Sequence, residues 1–414
     1  MQPVDLLVTN ASMVLTLDHG RPGPVTGEAM RDLKAIAGGA VAIDGGKIVA
    51  VGPAEDLTAT FEAARVVDAD GHVVMPGFVD PHTHLVFPAF REDEFVMRCL
   101  GKSYEEIAAA GGGIRNSARR MREASRDDLL ARAKNLRRSA LLHGTTTIEA
   151  KSGYGLETEA EILSLEVAGE VDDRGDVVRT FLGAHEVPDE YRDDRETYIR
   201  IVVDQMLPRV VDGGLAEFCD VFCEEAVFTT SESRRILGAA ADAGLGVKMH
   251  ADELHPTGGA ELAAELGAIS ADHLIRVSDA GIAAMAEAGV VATLLPGTSF
   301  FLGMKHFAPG RKMIDAGGPV ALATDCNPGS SMTENMQFIL TAACLGYGFT
   351  PEEAITAATI NAAHAVGRGD VVGSLAPGKR ADLLVLDVPN PRLMAYHHGV
   401  NHVRTVIHHG EIVT

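Results

Sequence analysis

Hydrophobic positions change their period twice along this chain. Near the start, Asp5 to Val14 is a β-prone run, and Ala40 to Val51 holds two short apolar runs around the turn Asp44-Gly45-Gly46-Lys47. Near the end the same texture returns. Ala381 to Asp387 reads as a buried strand, and Val403 to Val413 as a hairpin about His409-Gly410. Between these ends, short apolar runs alternate with stretches of helical period. The expected strands are Val73–Val79, Thr145–Glu149, Val178–Ala184, Cys219–Glu224, Gly246–His250, Ser270–His273, Val290–Leu295 and Pro319–Thr324. Helices expected between them include Asp127–Leu142, Thr158–Val171, Ser231–Ala243, Gly259–Leu266 and Ser278–Ala288, with Ser231 and Ser278 offering N-cap hydroxyls.

Eight strand-then-helix units predict an α/β protein built on a (β/α)8, TIM-like barrel. The β-rich ends predict one small β-sandwich made from both termini. The expected boundaries are 1–72 with 375–414 for the sandwich and 73–374 for the barrel. A doubly wound open sheet is the competing architecture. It calls for a glycine-rich phosphate turn after its first strand, and Gly77-Phe78-Val79-Asp80 is not one.

Charge and cysteine usage narrow the setting. With 36 basic and 58 acidic residues the net charge is −22, a field that opposes nucleic acid and anionic membrane surfaces. A small anionic substrate stays open, because one local arginine outweighs a distant field. The five cysteines are irregularly spaced, which predicts no disulfide framework and a reducing, cytoplasmic setting. Cys219 and Cys223 have no second Cys or His pair at zinc-finger spacing. Met1 to Asn10 lacks the pattern of a signal peptide, and no apolar run is long enough for a membrane span.

The strongest chemical signal is Pro76-Gly77-Phe78-Val79-Asp80-Pro81-His82-Thr83-His84. Residues i and i+2 of an extended chain point the same way, so His82 and His84 can aim at one metal. Other polar residues end other expected strands: His185 the third, His250 the fifth, His273 the sixth and Asp325 the eighth. In a barrel these meet at the C-terminal rim, where barrel enzymes place their sites. His82, His84, His250 and Asp325 form a three-imidazole, one-carboxylate set suited to zinc or iron, which would acidify a bound water toward neutrality. Glu253, three residues past His250, can take that water's proton and deliver it to a leaving nitrogen.

With these residues the chain resembles the amidohydrolase superfamily, and within it the branch that opens an imidazolone ring in histidine breakdown. The resemblance is carried by Asp80–Phe87, Arg91-Glu92-Asp93-Glu94-Phe95, Gly101-Lys102-Ser103-Tyr104, Gly111–Ile114, Glu149–Leu156, Phe181–His185, His250–Glu253 and Asp325–Ser331, which together span nearly the whole chain. It implies one Zn2+ or Fe2+/Fe3+ per subunit on His82, His84, His250 and Asp325, and a homodimer. It implies hydrolysis of the small molecule 4-imidazolone-5-propanoate to N-formimidoyl-L-glutamate. Arg91, Tyr154, His185 and Glu253 would then meet substrate, and Asn327, Gly329 and Ser330 would contact substrate or opened product. Arg91 offers a planar partner for the propionate, and Gly329 and Ser330 could present backbone N–H and hydroxyl donors to an anion. Glu253 would be the proton carrier, with His273 orienting water or stabilising an oxyanion. No lysine ends the fourth expected strand, which disfavours a carbamylated-lysine, two-metal site. The competing enzyme reading is an aminohydrolase acting on a nucleobase, which would release ammonia. A non-catalytic barrel is the reading from another class, and the complete ligand set argues against it.

Overall fold

The computed structural model describes residues 1–102, 106–107, 111–171 and 174–413. Ser103 and Tyr104 of the quoted motif lie outside the described residues. Eight strands form one parallel sheet in strictly sequential order: Phe78–Asp80, Thr145–Lys151, Val177–Ala184, Phe218–Cys223, Gly246–Ala251, Ser270–His273, Val291–Leu294 and Val320–Leu322. They are called barrel strands one to eight below. The sheet closes at its rim. Asp325 N–H donates to His82 O at 3.0 Å and His84 N–H to Cys326 O at 3.0 Å, joining the ends of strands one and eight. Helices cover the outside, so every strand is buried on both faces, and Thr145–Lys151 and Phe218–Cys223 have no exposed residue.

Two further sheets come from the termini. A four-stranded sheet runs in the order Lys47–Pro53, Gly39–Asp44, Gln2–Thr9, Phe61–Asp68. A six-stranded sheet joins Met13–Leu15, Ala35–Ala37 and Val73–Pro76 to the C-terminal Leu383–Leu386, Val403–His408 and Glu411–Ile412. One apolar cluster, including Leu6, Ile43, Val74, Leu383 and Ile407, is shared between them. The C-terminal strands therefore enter one of the two sheets only.

Three expectations change in detail. Asp5 to Val14 is two strands in different sheets, divided at Asn10, whose φ of 56° lies in the left-handed region that asparagine tolerates. Val73–Val79 also divides. Val73–Pro76 belongs to the terminal sheet and Phe78–Asp80 to the barrel. The chain crosses at Gly77, where a Cβ would sit 2.3 Å from Thr146 Oγ1. Finally, Ser231 is not the helix cap. Thr229 caps Thr230–Asp242 and shares a complete capping box with Glu232. Ser278 does cap its helix, by accepting from Gly281 N–H.

The terminal sheets are tied to the barrel floor by a buried carboxylate. Asp176, just ahead of strand three, faces His408 Nε2 at 2.9 Å and His409 Nε2 at 3.0 Å and pairs with Arg380. Burial opposes its charge, yet His408, Arg380 and His409 hold its carboxyl well below the ordinary value of 3.8. A depressed folded-state pKa contributes stability that is complete above the unfolded value and is lost as pH falls through the folded one. Asp176→Asn should destabilise the protein by about 3 kcal/mol near neutral pH, because Arg380, His408 and His409 lose the buried charge they share, although Arg380 keeps Asp382. In urea titrations the gap between wild type and variant should narrow below about pH 4, and a constant gap down to about pH 3 would contradict this role.

Candidate active site

The C-terminal rim encloses a cavity of about 580 Å3. Every residue singled out from the sequence borders it except His82, which is fully buried beneath its floor. His82 is the hub of the histidine cluster. Its ring centroid lies 4.5 Å from that of His250 and 5.4 Å from those of His84 and His273. Asp325 Oδ1 is 3.5 Å from His82 Nε2 and 3.8 Å from His84 Nε2. The ligand atoms of His82, His84 and Asp325 lie within 4.8 Å of one another, as do those of His82, His250 and His273 and those of His84, His185 and His250.

What lies behind the rings distinguishes among these histidines. His82 Nδ1 donates to Asp272 Oδ2 at 2.6 Å, and His250 Nδ1 faces both oxygens of Asp220 at 3.1 Å. Each Nε2 is left buried with no hydrogen-bond partner among the described residues. A carboxylate on one ring nitrogen and an unpartnered lone pair on the other is the posture of a metal-ligating histidine. Burial drives the pKa of His82 and His84 well below the ordinary value, so both stay neutral, as ligands must be. His250 is held above it, because Asp220 outweighs the burial that would lower it. By contrast, His185 turns Nδ1 to Gly153 O at 3.0 Å, stacks on His84 and is pushed down to about 3 by burial. Charge suits a cation too. Among the described residues the lysines paired with Glu149, Asp220 and Asp272 are Lys151 and Lys248, and Asp325 adds a further carboxyl, pushed up to about 6 by burial. The residues present therefore fit a metal ion.

Around this cluster stand the groups that could handle substrate. Glu253 is mostly enclosed, its side chain 12% exposed, with Oε1 at 3.6 Å from His273 Nδ1. Burial, with the nearby Asp325 charge, pushes its carboxyl up to about 8. The preceding Asp252 does structural work. It accepts from Thr257, Gly258, Gly259 and Ala260 N–H and so anchors the start of Gly259–Glu265. His273 and Asp325 sit at φ of 73° and 54°, a left-handed conformation that is costly for non-glycine residues and concentrates at functional sites.

Arg91 lines the cavity with its Nε and Nη2 edge bonded to Glu94 at 2.9 and 2.5 Å. Its Nη1 approaches Gly329 so closely that a Cβ there would lie 2.3 Å away. The donors expected from Gly329 and Ser330 are arranged differently. Both backbone N–H groups donate to Asn327 Oδ1 at 2.8 Å in a side-chain-closed turn, and the Ser330 hydroxyl donates to Asp325 Oδ2 at 3.2 Å. This segment shapes the Asp325 carboxylate rather than offering backbone donors to the cavity.

Several residues that build the site were not picked out from the sequence. Asp220, Asp272, Glu149, Lys151 and Lys248 are charged residues on buried strands. Their spacing held a signal: in Lys248-Met249-His250 the lysine shares the face of the histidine two residues on, pointing inward. Thr298, which donates to Asp325 Oδ2 at 2.6 Å, comes from a helix with no such mark.

A family model described as "Amidohydrolase family" matches residues 73–413, and the fold is that of this class of metal-dependent hydrolases. A second, "Imidazolonepropionase-like composite domain, bacteria", matches residues 39–61 in the four-stranded terminal sheet. The chain belongs to the imidazolonepropionase family of amidohydrolases. It is 53% identical to the imidazolonepropionase of Geobacillus kaustophilus (strain HTA426), over 99% of this chain and 97% of that one. It is 49% identical to the imidazolonepropionase of Brevibacillus brevis (strain 47), over 98% and 97%. Among solved structures it is similar to an adenosine deaminase from Xanthomonas campestris with bound zinc, with a TM-score of 0.68 and 21% identity over 99% of this chain and 93% of that one, a likeness of fold.

The loop carrying Tyr154 is clamped from below. Glu161, fully buried, accepts from Gly153 N–H at 2.9 Å, Gly155 N–H at 2.7 Å and Leu156 N–H at 2.9 Å. Glu161→Ala should cost about 3 kcal/mol by stranding these donors. Amide hydrogen exchange should show lost protection at Gly153 and Gly155. Unchanged protection there would show that the loop is held by something else.

Proposed function

We propose that the protein hydrolyses 4-imidazolone-5-propanoate to N-formimidoyl-L-glutamate in histidine degradation, as a cytoplasmic homodimer with one Zn2+ or iron ion per subunit. The observation that carries this reading is the cavity itself: an imidazole and carboxylate cluster at its floor and Arg91 on its wall, in a chain alignable end to end with imidazolonepropionases. His82, His84, His250 and Asp325 would hold the ion. When bound, it supplies Lewis acidity, lowering the pKa of water and polarising a carbonyl.

The chain's own groups supply the rest. Glu253 takes a proton from the water that attacks the ring carbonyl carbon. The bond from that carbon to the ring nitrogen breaks, and Glu253 returns the proton to the departing nitrogen. A carboxyl raised by burial suits a group that must both accept and donate. His273, with Nδ1 3.6 Å from Glu253 Oε1, would orient the water or stabilise the developing oxyanion. Arg91 receives the propionate on its cavity side, with Glu94 fixing the plane of the guanidinium. Tyr154 and His185, whose rings lie 5.7 Å apart, wall the space for the imidazolone ring.

Purified, metal-loaded protein should convert fresh imidazolonepropionate to formimidoylglutamate without releasing ammonia. Ammonia from a nucleobase, with no formimidoylglutamate, would move the assignment to an aminohydrolase. Glu253→Gln should retain its metal and lose at least about 100-fold in kcat, the scale of general acid–base catalysis. Arg91→Ala should raise KM about 10-fold or more for the propionate-bearing substrate and far less for an uncharged analogue. Equal losses on both would remove Arg91 from carboxylate recognition.

A further inference from the structure

Barrel strand two ends on Lys151, whose side chain is fully buried and does not border the cavity. Its Nζ lies 2.7 Å from Asp220 Oδ2, 3.1 Å from Glu149 Oε2 and 3.3 Å from Asp272 Oδ2. An ammonium has three donors, and three carboxylates surround this one. Two of them are the groups behind the floor histidines: Asp272 receives His82 Nδ1, and Asp220 faces His250 Nδ1. The same oxygen, Asp272 Oδ2, faces both Lys151 and His82. One cation on strand two thus links the carboxylates of strands four and six, which set the rings of His250 on strand five and His82 just past strand one.

The second buried lysine is wired differently. Lys248 Nζ pairs with Glu149 Oε1 at 2.9 Å and donates to Pro81 O at 3.1 Å and Ala365 O at 3.2 Å. It makes no ion pair with Asp220 or Asp272 among the described residues. The two lysines share a buried setting and Glu149, and differ in whether they grip the carboxylates that orient histidines.

We propose that Lys151 is a positioning residue for the metal centre: by holding Asp220 and Asp272 together, it fixes the two imidazole rings so that both Nε2 atoms converge on one point. This rests on the metal reading of the site given above. Without Lys151, two carboxylates in a low-dielectric interior lose the cation between them and move apart. The rings they hold turn with them. Carboxylates of this kind, one step behind the ligands, typically change metal affinity 10- to 100-fold when removed, and Lys151 acts through two of them at once.

The test is metal affinity, measured by competition with a chromophoric chelator on full-length protein stripped and titrated with Zn2+. Lys151→Met should bind Zn2+ at least about 10-fold more weakly than wild type. At saturating Zn2+ it should lose kcat while KM for imidazolonepropionate stays within about twofold, since Lys151 does not reach the cavity. Lys248→Met, which removes an equal buried charge, should lose thermal stability but keep Zn2+ affinity within about threefold, the split a purely structural role does not produce. If Lys151→Met does not fold, the charge-balanced Lys151→Met/Glu149→Gln double variant takes its place with the same expectation. Wild-type affinity in a folded Lys151 variant, an equal loss in Lys248→Met, or no Zn2+ binding by wild type overturns the proposal. A wild type that binds Zn2+ but leaves imidazolonepropionate intact, alongside a Lys151 variant of weakened affinity, would fell the substrate reading and support this one.

Discussion

Charge buried inside a barrel must be paired, and the way it is paired here sets the direction in which the histidines point. Asp272 and Asp220 each take the inner nitrogen of one imidazole, and Lys151 sits against both carboxylates. The barrel supplies the geometry for this arrangement. Parallel strands in sequential order bring residues separated by more than a hundred positions to one level, with inward side chains on alternate residues. The rim is then closed by hydrogen bonds between the ends of strands one and eight, next to His82 and Asp325. The same main chain that completes the barrel therefore places the first and last proposed ligands side by side.

Much of this was legible in the sequence because its physics is local or periodic. The eight strand runs fall where their apolar residues cluster, and the His82-Thr83-His84 pair follows from alternation along an extended chain. The polar strand ends His185, His250, His273 and Asp325 gather because strand order alone puts them on one rim. What escaped is non-local. Asp220 reads as one acid in an apolar run until strand four is laid beside strand five. Lys151 falls just past the expected strand Thr145–Glu149, and its three partners lie on strands two, four and six. The division of Val73–Val79 at Gly77 depends on the nearby Thr146 side chain, which no local pattern reveals. The inward turn of the Gly329 and Ser330 N–H groups onto Asn327 is local, but it competes with an anion-binding reading of the same residues, and only the geometry separates the two.

The loops add a second layer of constraint. Glu161 clamps the Tyr154 loop, and Glu224 accepts from Leu254 and His255 N–H beside Glu253. Asp252 ties the same segment to the next helix. Each buried acid satisfies backbone donors that a loop would otherwise leave to water, so the catalytic candidates sit on segments held nearly as firmly as the strands. Glu94 does the same for Arg91 and also receives Gly113 N–H at 3.2 Å, linking the arginine to the glycine-rich stretch nearby.

The central claim is that His82, His84, His250 and Asp325, with Asp272 and Asp220 behind two of the three rings, form the metal site rather than their neighbours His185 and His273. Anomalous diffraction from crystals of Zn2+-loaded protein, collected at the zinc edge, tests it most directly. The account predicts one strong peak per subunit, bonded to the Nε2 atoms of His82, His84 and His250 and to the Asp325 carboxylate, with Asp272 and Asp220 still on the Nδ1 atoms. A peak held instead by His185 or His273, or one placed on Asp176, His408 and His409, would contradict it.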